Sequence, residues 1–206
     1  MALQGYIVVP SKLYIIKRFI ETHHYSHNVN GVRISHCFAM YRPYNDSTGL
    51  FGNFFDHEVE MAGAAIFGSP AMSNVAESWN PSNPDKCLEL RRLCCIDDTP
   101  KNAESFFIGR MLRWLRKHTT YETVVSYADP HYGHEGTIYK ASNFEYVGQT
   151  AAGKVLDVDG ELYHDRTLRN PKPYAQKIKQ RLIDGDDDIK WIDVPAKHIY
   201  LYHLQR

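Results

Sequence analysis

No charge of one sign predominates in this chain: Lys and Arg together number 24, as do Asp and Glu. A balanced total removes any global electrostatic argument for nucleic acid and leaves local patches to make it. Long apolar runs are missing too. No stretch approaches the roughly 18 residues of a membrane span, and "MALQGYIVVPSKLYIIKRFIE" has neither a long apolar h-region nor a small-residue cleavage site. The expectation is a cytoplasmic protein that does not engage membrane. Cysteine is sparse, and Cys37, Cys87, Cys94 and Cys95 fit no Cys-x-x-Cys metal spacing. Adjacent Cys94 and Cys95 would face opposite sides of a strand, so the four read as buried thiols in a reducing compartment. Internal repeats and low-complexity tracts are lacking.

What is present is enough chain for a core: 206 residues with 43% hydrophobic composition, read as one domain over 1–206 with a less defined C-terminal extension from residue 151. "GYIVVP" reads as a strand closed by Pro10, and Leu13, Ile16, Phe19 and Ile20 then recur at helical spacing until "HHYSHN". "GVRISHCFAMYRP" and "HEVEMAGAAIFGSP" read as antiparallel neighbours, and Ser69 to Pro84 as a loop. In "CLELRRLCCID" the apolar phase slips by one residue at Arg91 and Arg92, which a β-bulge would produce. A helix follows, burying Phe107, Ile108, Met111, Leu112 and Leu115. "TVVSYADP" is a strand parallel to the bulged one, because a helix separates them. "GTIYKASNF" is a short helix, "EYVGQT" and "KVLDVDGELYH" late strands, "KPYAQKIKQRLIDGDDD" a basic helix with an acidic turn, and "KHIYLYHLQ" a final strand.

This order resembles the GNAT acyltransferase fold, an α+β architecture whose mixed, mostly antiparallel central sheet is flanked by helices. More specifically, "ELRRLCCIDDTPKNAESFF" followed by "VVSYADPHYGHEGTIYKASNFEYVG" resembles the Mom family of phage DNA-modification proteins. "HHYS" and the tyrosine of "FAMYRP" also match family positions. The resemblance implies an enzyme that converts adenine in DNA to a carbamoylmethyl derivative at its exocyclic amine, protecting phage DNA from host restriction.

By that resemblance Asp129 and Tyr139 take part in the reaction, with Tyr41 and Ser126 beside them. Arg92, Asn102 and Ser105 would bind the donor, acetyl-coenzyme A or another acyl donor. The residues alone leave plainer readings open: Asp129 as an Asx-type cap before Pro130, Tyr139 as a packed aromatic, Arg92 as a surface charge and Ser105 as a helix-start residue. Thr99 or Asn102 could cap the long helix, whose free N–H groups suit a pyrophosphate. "TPKNAES", however, contains none of the glycines usual in such a loop.

The chemistry gives these residues work. Adenine's exocyclic amine is a poor nucleophile, so a carboxylate that takes its proton and a tyrosine that supplies one are both useful. The base must leave the duplex or be met single-stranded, and Tyr41, Tyr44, Trp79 and Tyr132 could stack on it. His24, Tyr25 and Asp129 are the residues that iron would use, the family having been proposed to need it; against this stands a polar helix end favourable to the dipole. Arg166, Arg169, Lys172, Lys177, Lys179 and Arg181 form the densest basic stretch and the expected DNA contact, or else a solvated helix face. The partners are then DNA and a small-molecule donor, with a homodimer left open. Two other readings stand: an ordinary acyl-coenzyme A N-acyltransferase on a small-molecule or protein amine, and a non-catalytic DNA-binding protein on the same scaffold.

Overall fold

The computed structural model describes residues 3–43, 59–71 and 73–204. They cluster into two compact units, the first comprising Met1–Tyr127, Gly136–Val147 and Ile199–Arg206, the second Ala128–Glu135 and Gly148–His198.

The first unit is built on a seven-stranded sheet in the order β1-β2-β3-β4-β5-β10-β6. Its strands are β1 (Ile7–Ser11), β2 (Ile34–Pro43), β3 (Val59–Gly68), β4 (Cys87–Cys95), β5 (Thr123–Ala128), β6 (Glu145–Gln149) and β10 (His198–His203). β1 to β4 pair antiparallel, and β4 with β5 parallel. The bulge is where the slip in apolar phase puts it: Ile66 faces Arg92 and Phe67 faces Leu90, leaving Arg91 as the extra residue.

Alternation along β2 assigns the two faces. Cys37 and Ala39 pack with Ile16 and Ile20 of α1 (Leu13–His23), together with Ala64, Ile66 and Cys94. Phe38 turns the other way, its ring 5.3 Å from that of Trp114 on α3 (Ala103–His118). The α3 stripe is fully internal, with Phe107, Ile108, Met111 and Leu115 at 0% exposure. Cys94 belongs to the α1 side, whereas Cys95 lies against Gly63 on the α3 side, so the adjacent thiols do face apart.

One expectation fails between Ser69 and Pro84, where a helix, α2 (Ser73–Trp79), occupies the expected loop. Pro, Ser and Asn dominate that composition, but Ala76 is buried against Cys87, Val125, Ile199 and Leu201, with Val75 and Trp79 packed beside it. Tertiary burial holds a helix that local propensity does not specify.

The second unit has its own three-stranded antiparallel sheet, β8-β7-β9, made of β7 (Gly153–Val158), β8 (Glu161–His164) and β9 (Ile189–Val194). "KVLDVDGELYH" is a hairpin turning at Asp159 and Gly160, both at positive φ (55° and 85°), as a two-residue Asp-Gly turn requires. The sequence reading missed β9. Against this sheet lies α5 (Pro173–Ile183), whose Ile178 packs on Leu156, Val158 and Ile189. The short α4 (Thr137–Lys140) completes the helices of the first unit.

Candidate functional site

β4 and β5 run side by side only from Cys87/Thr123 to Glu89/Val125. Beyond that rung the bulge at Arg91 bends β4, and the ladder ends. Ser126, fully buried, is the first β5 residue past the last rung, and its hydroxyl reaches across to the Leu90 carbonyl at 3.5 Å.

The same hydroxyl is hydrogen-bonded to Tyr139. Gly136 at φ 73° starts the α4 turn, which directs Tyr139 inward to 8% exposure, its ring centroid 5.2 Å from Tyr200 and 5.5 Å from Phe144. Burial pushes the Tyr139 phenol up to about 12, against the smaller lowering effect of Ser126. The group is therefore a proton donor through the neutral range. Ser126 and Tyr139, both candidate catalytic residues from sequence, are thus hydrogen-bonded to each other.

Arg92 is no loose surface charge. Its Nε donates to the Asn28 carbonyl at 3.1 Å and Nη1 to the Arg91 carbonyl at 2.9 Å, tying the bulge to the segment after α1. Burial lowers its pKa, with Tyr25 acting in the opposite sense. Beside Tyr25 lies His24, 4% exposed, its ring 4.2 Å from the tyrosine's. His24 Nδ1 lies 2.8 Å from the Ser26 hydroxyl and 3.1 Å from the Ser26 backbone nitrogen.

At the start of α3 neither Thr99 nor Asn102 caps the helix with its side chain. Thr99 Oγ1 donates to the Ile96 carbonyl and Ser105 Oγ to the Asn102 carbonyl. Asn102 itself stands at φ 70°, the left-handed conformation a glycine usually supplies, which accounts for a glycine-free "TPKNAES". Tyr41 sits elsewhere: it packs in the α1-side cluster on β2, with β3 and β4 between it and β5. Tyr44 lies outside the described residues.

In the second unit Asp129 is 6% exposed and doubly engaged. Oδ1 accepts the His131 N–H at 3.1 Å, which is the Asx cap, and Oδ2 meets Lys197 Nζ at 2.6 Å. Lys197 is held by Thr150 in both directions, Thr150 N donating to its carbonyl at 2.9 Å and its own N–H donating to Thr150 Oγ1 at 3.0 Å. The basic stretch divides. Arg166, Arg169, Lys172, Lys177 and Lys179 are exposed. Arg181, partly exposed, forms ion pairs with Asp159 at 2.7 Å and Asp186 at 2.6 Å.

Of the residues expected to hold iron, His24 and Tyr25 lie in the first unit and Asp129 in the second. Both Asp129 oxygens already have partners, the His131 N–H and Lys197 Nζ. Among the described residues no group of three His, Cys, Asp or Glu side chains could hold a metal ion.

Two residues escaped the sequence reading. Lys197 gave no signal, being brought to Asp129 only by folding. Glu89 gave a faint one, an acid inside the apolar run "CLELRRL". It is 9% exposed, its pKa raised by burial against the lowering effect of Arg91.

The Mom protein family matches residues 8–206. The methylcarbamoylase Mom of Escherichia phage Mu is 36% identical over 91 residues, which are 44% of this chain and 37% of that protein, so the matched part spans little more than a third of the curated relative's length. Among solved structures, the IAA acetyltransferase from Bacillus cereus ATCC 14579 superposes with a TM-score of 0.51 at 7% identity, covering 96% of this chain and 99% of its own. An N-acetyltransferase from Staphylococcus aureus Mu50 gives 0.49 at 12% identity, over 98% and 100%. The fold is that of the GNAT acyltransferases, and with a family match running from β1 to the last residue, this chain belongs to the Mom protein family.

Proposed function

We propose that the protein is a transferase that modifies adenine in DNA at its exocyclic amine, attaching a carbamoylmethyl group that shields phage DNA from host restriction. The observation that carries the reading is the family match over residues 8–206, on which Ser126 and Tyr139 stand at the point where β4 and β5 part. Tyr139, protonated at neutral pH, supplies a proton to the departing part of the donor. Asp129, paired with Lys197, takes the proton that N6 must lose. The donor carries the carbamoylmethyl group and loses its leaving group from the CH2 carbon as N6 bonds to it, since plain acyl transfer from a thioester would leave an acetamide on N6; a coenzyme-type leaving group would set its pyrophosphate at the N-terminus of α3 beside Ser105 and its polar groups near Arg92. The exposed cations of the second unit carry the phosphate contacts.

Co-expression with a plasmid followed by nucleoside mass spectrometry tests this. A new adenine adduct is the expected result. DNA retention without an adduct would instead support a non-catalytic DNA-binding protein, and neither adduct nor retention an N-acyltransferase on another amine.

A further inference from the structure

On the α1 side of the sheet, next to the last rung of the β4–β5 ladder, a charged pair is buried in an arrangement that its own contacts do not use up. Glu89 and Arg91 are 12% and 15% exposed at their side chains, joined by Arg91 Nη1 donating to Glu89 Oε2 at 3.0 Å. The Ala71 N–H also donates to Oε2, at 3.3 Å. Both bonds thus fall on one carboxylate oxygen, and among the described residues Oε1 accepts none. Arg91 Nε is buried with no hydrogen-bond partner. An orphaned guanidinium donor is costly in an interior, so a fold that retains one beside a free carboxylate oxygen is matched to something that binds there. The surroundings are aromatic: Tyr127 on β5 is hydrogen-bonded to Trp79 of α2 and lies within electrostatic range of both Glu89 and Arg91. Trp79 and Tyr127 are half-buried.

We infer that Glu89 and Arg91 form a base-reading site that takes the N6/N7 edge of an adenine, Glu89 Oε1 accepting an N6–H and Arg91 donating to N7, with Trp79 and Tyr127 beside the ring. An acceptor next to a donor complements an amine next to a ring nitrogen. It rejects the N7/O6 edge of guanine, where two acceptors stand side by side. Holding N6 through the hydrogen on its N7 side leaves the other hydrogen and the lone pair for reaction. The site rests on the adenine-modification reading above and adds to it the residues that choose the base.

The test turns on an asymmetry of Glu89→Gln. Oε2 is gripped by two donors, so the glutamine carbonyl must take that place and its NH2 must replace Oε1, turning the free acceptor into a donor. Hypoxanthine, which has an acceptor at position 6 and keeps N7, then becomes the better ligand. Fluorescence anisotropy with single-stranded thymine oligonucleotides carrying one adenine or one hypoxanthine measures this without any donor. The wild-type protein is expected to favour the adenine strand by about tenfold or more, the scale of one bidentate base contact, and Glu89→Gln to lose or reverse the preference. Arg91→Lys with a 7-deazaadenine strand is the companion measurement if Glu89→Gln does not fold: wild type should prefer adenine and the variant should not. Preferences that survive in the folded variants, or a wild type that binds both strands equally, would overturn the assignment while leaving the DNA-modification reading in place. No binding to any strand would remove both.

Discussion

At the scale of single residues, the Asp129–Lys197 pair is asymmetric, and the asymmetry can be measured. The carboxylate side chain is 8% exposed and the ammonium 46%. Asp129→Asn keeps an oxygen for the His131 N–H and leaves a lysine that water can solvate, a loss of roughly 1 kcal/mol or less. Lys197→Met strands a buried carboxylate and costs about 1–3 kcal/mol. Urea midpoints should therefore fall further for Lys197→Met, whereas adduct yield should fall further for Asp129→Asn, by about two orders of magnitude or more. The reverse order in both measurements would make Asp129 a turn residue only. Tyr139→Phe separates chemistry from packing in another way. It removes one hydroxyl from Ser126, so stability should stay within about 1 kcal/mol, while adduct yield drops about a hundredfold. Because the phenol is pushed up to about 12, it does not titrate near neutrality, and the shape of the pH–activity profile from about pH 6 to about pH 10 should be the same in both proteins. The same shift fixes the sign of a stability effect. A raised pKa favours the protonated fold, so this contribution is intact below the unfolded tyrosine value near 10 and lost as pH climbs toward 12. Alkaline unfolding should accordingly be shallower in Tyr139→Phe.

Among the elements, two short connections decide where the site residues stand. A Cβ on Gly136 would lie 2.2 Å from the Tyr200 ring, at a backbone φ of 73°. Gly136→Ala must displace α4 or the ring, and should cost about 3 kcal/mol or more; a melting temperature within a few degrees of wild type would show that α4 is not locked this way. Asn102 occupies the corresponding left-handed position before α3, but on an exposed turn. Asn102→Gly should be nearly neutral, and Asn102→Ala should lose about 1 kcal/mol, as read by thermal melts. The bulge at Arg91 works with these turns: it shifts the phase of β4 so that Cys94 joins the α1 side of the sheet and Cys95 the α3 side, and it brings Arg92 to the segment after α1.

For the molecule as a whole, the zero net charge means that the DNA contact of the proposed function would have to come from local cations, those of the second unit. Arg181 is unsuited to that test, because its ion pairs with Asp159 and Asp186 tie α5 to the β7–β8 turn and to the segment before β9. The triple substitution Lys172→Gln, Lys177→Gln and Lys179→Gln removes only exposed charge. It should lower the slope of log affinity against log salt by about one for each phosphate no longer neutralised, with little change in unfolding midpoint. An unchanged slope would take α5 out of the interface.

Much of the scaffold was legible in the chain because it rests on local periodicity. The α3 stripe from Phe107 to Leu115, the phase slip at Arg91 and the parallel strand after a helix each follow from spacing and short-range sterics alone. The family also showed itself locally, in the run from Glu89 to Gly148. What the tertiary structure decided are the pairings across long sequence separations. Burial against β10 made α2 a helix in a Pro- and Asn-rich segment. Folding brought Lys197 to Asp129 and Ser126 to Leu90, kept Tyr41 on the other side of two strands, and paired Arg181 with Asp159 and Asp186. It also set a buried carboxylate and guanidinium side by side, with one bond between them and a donor to spare. A sequence specifies which groups exist and how neighbours alternate; which group meets which is set by loop closure and burial, whose free energy is shared over the whole fold.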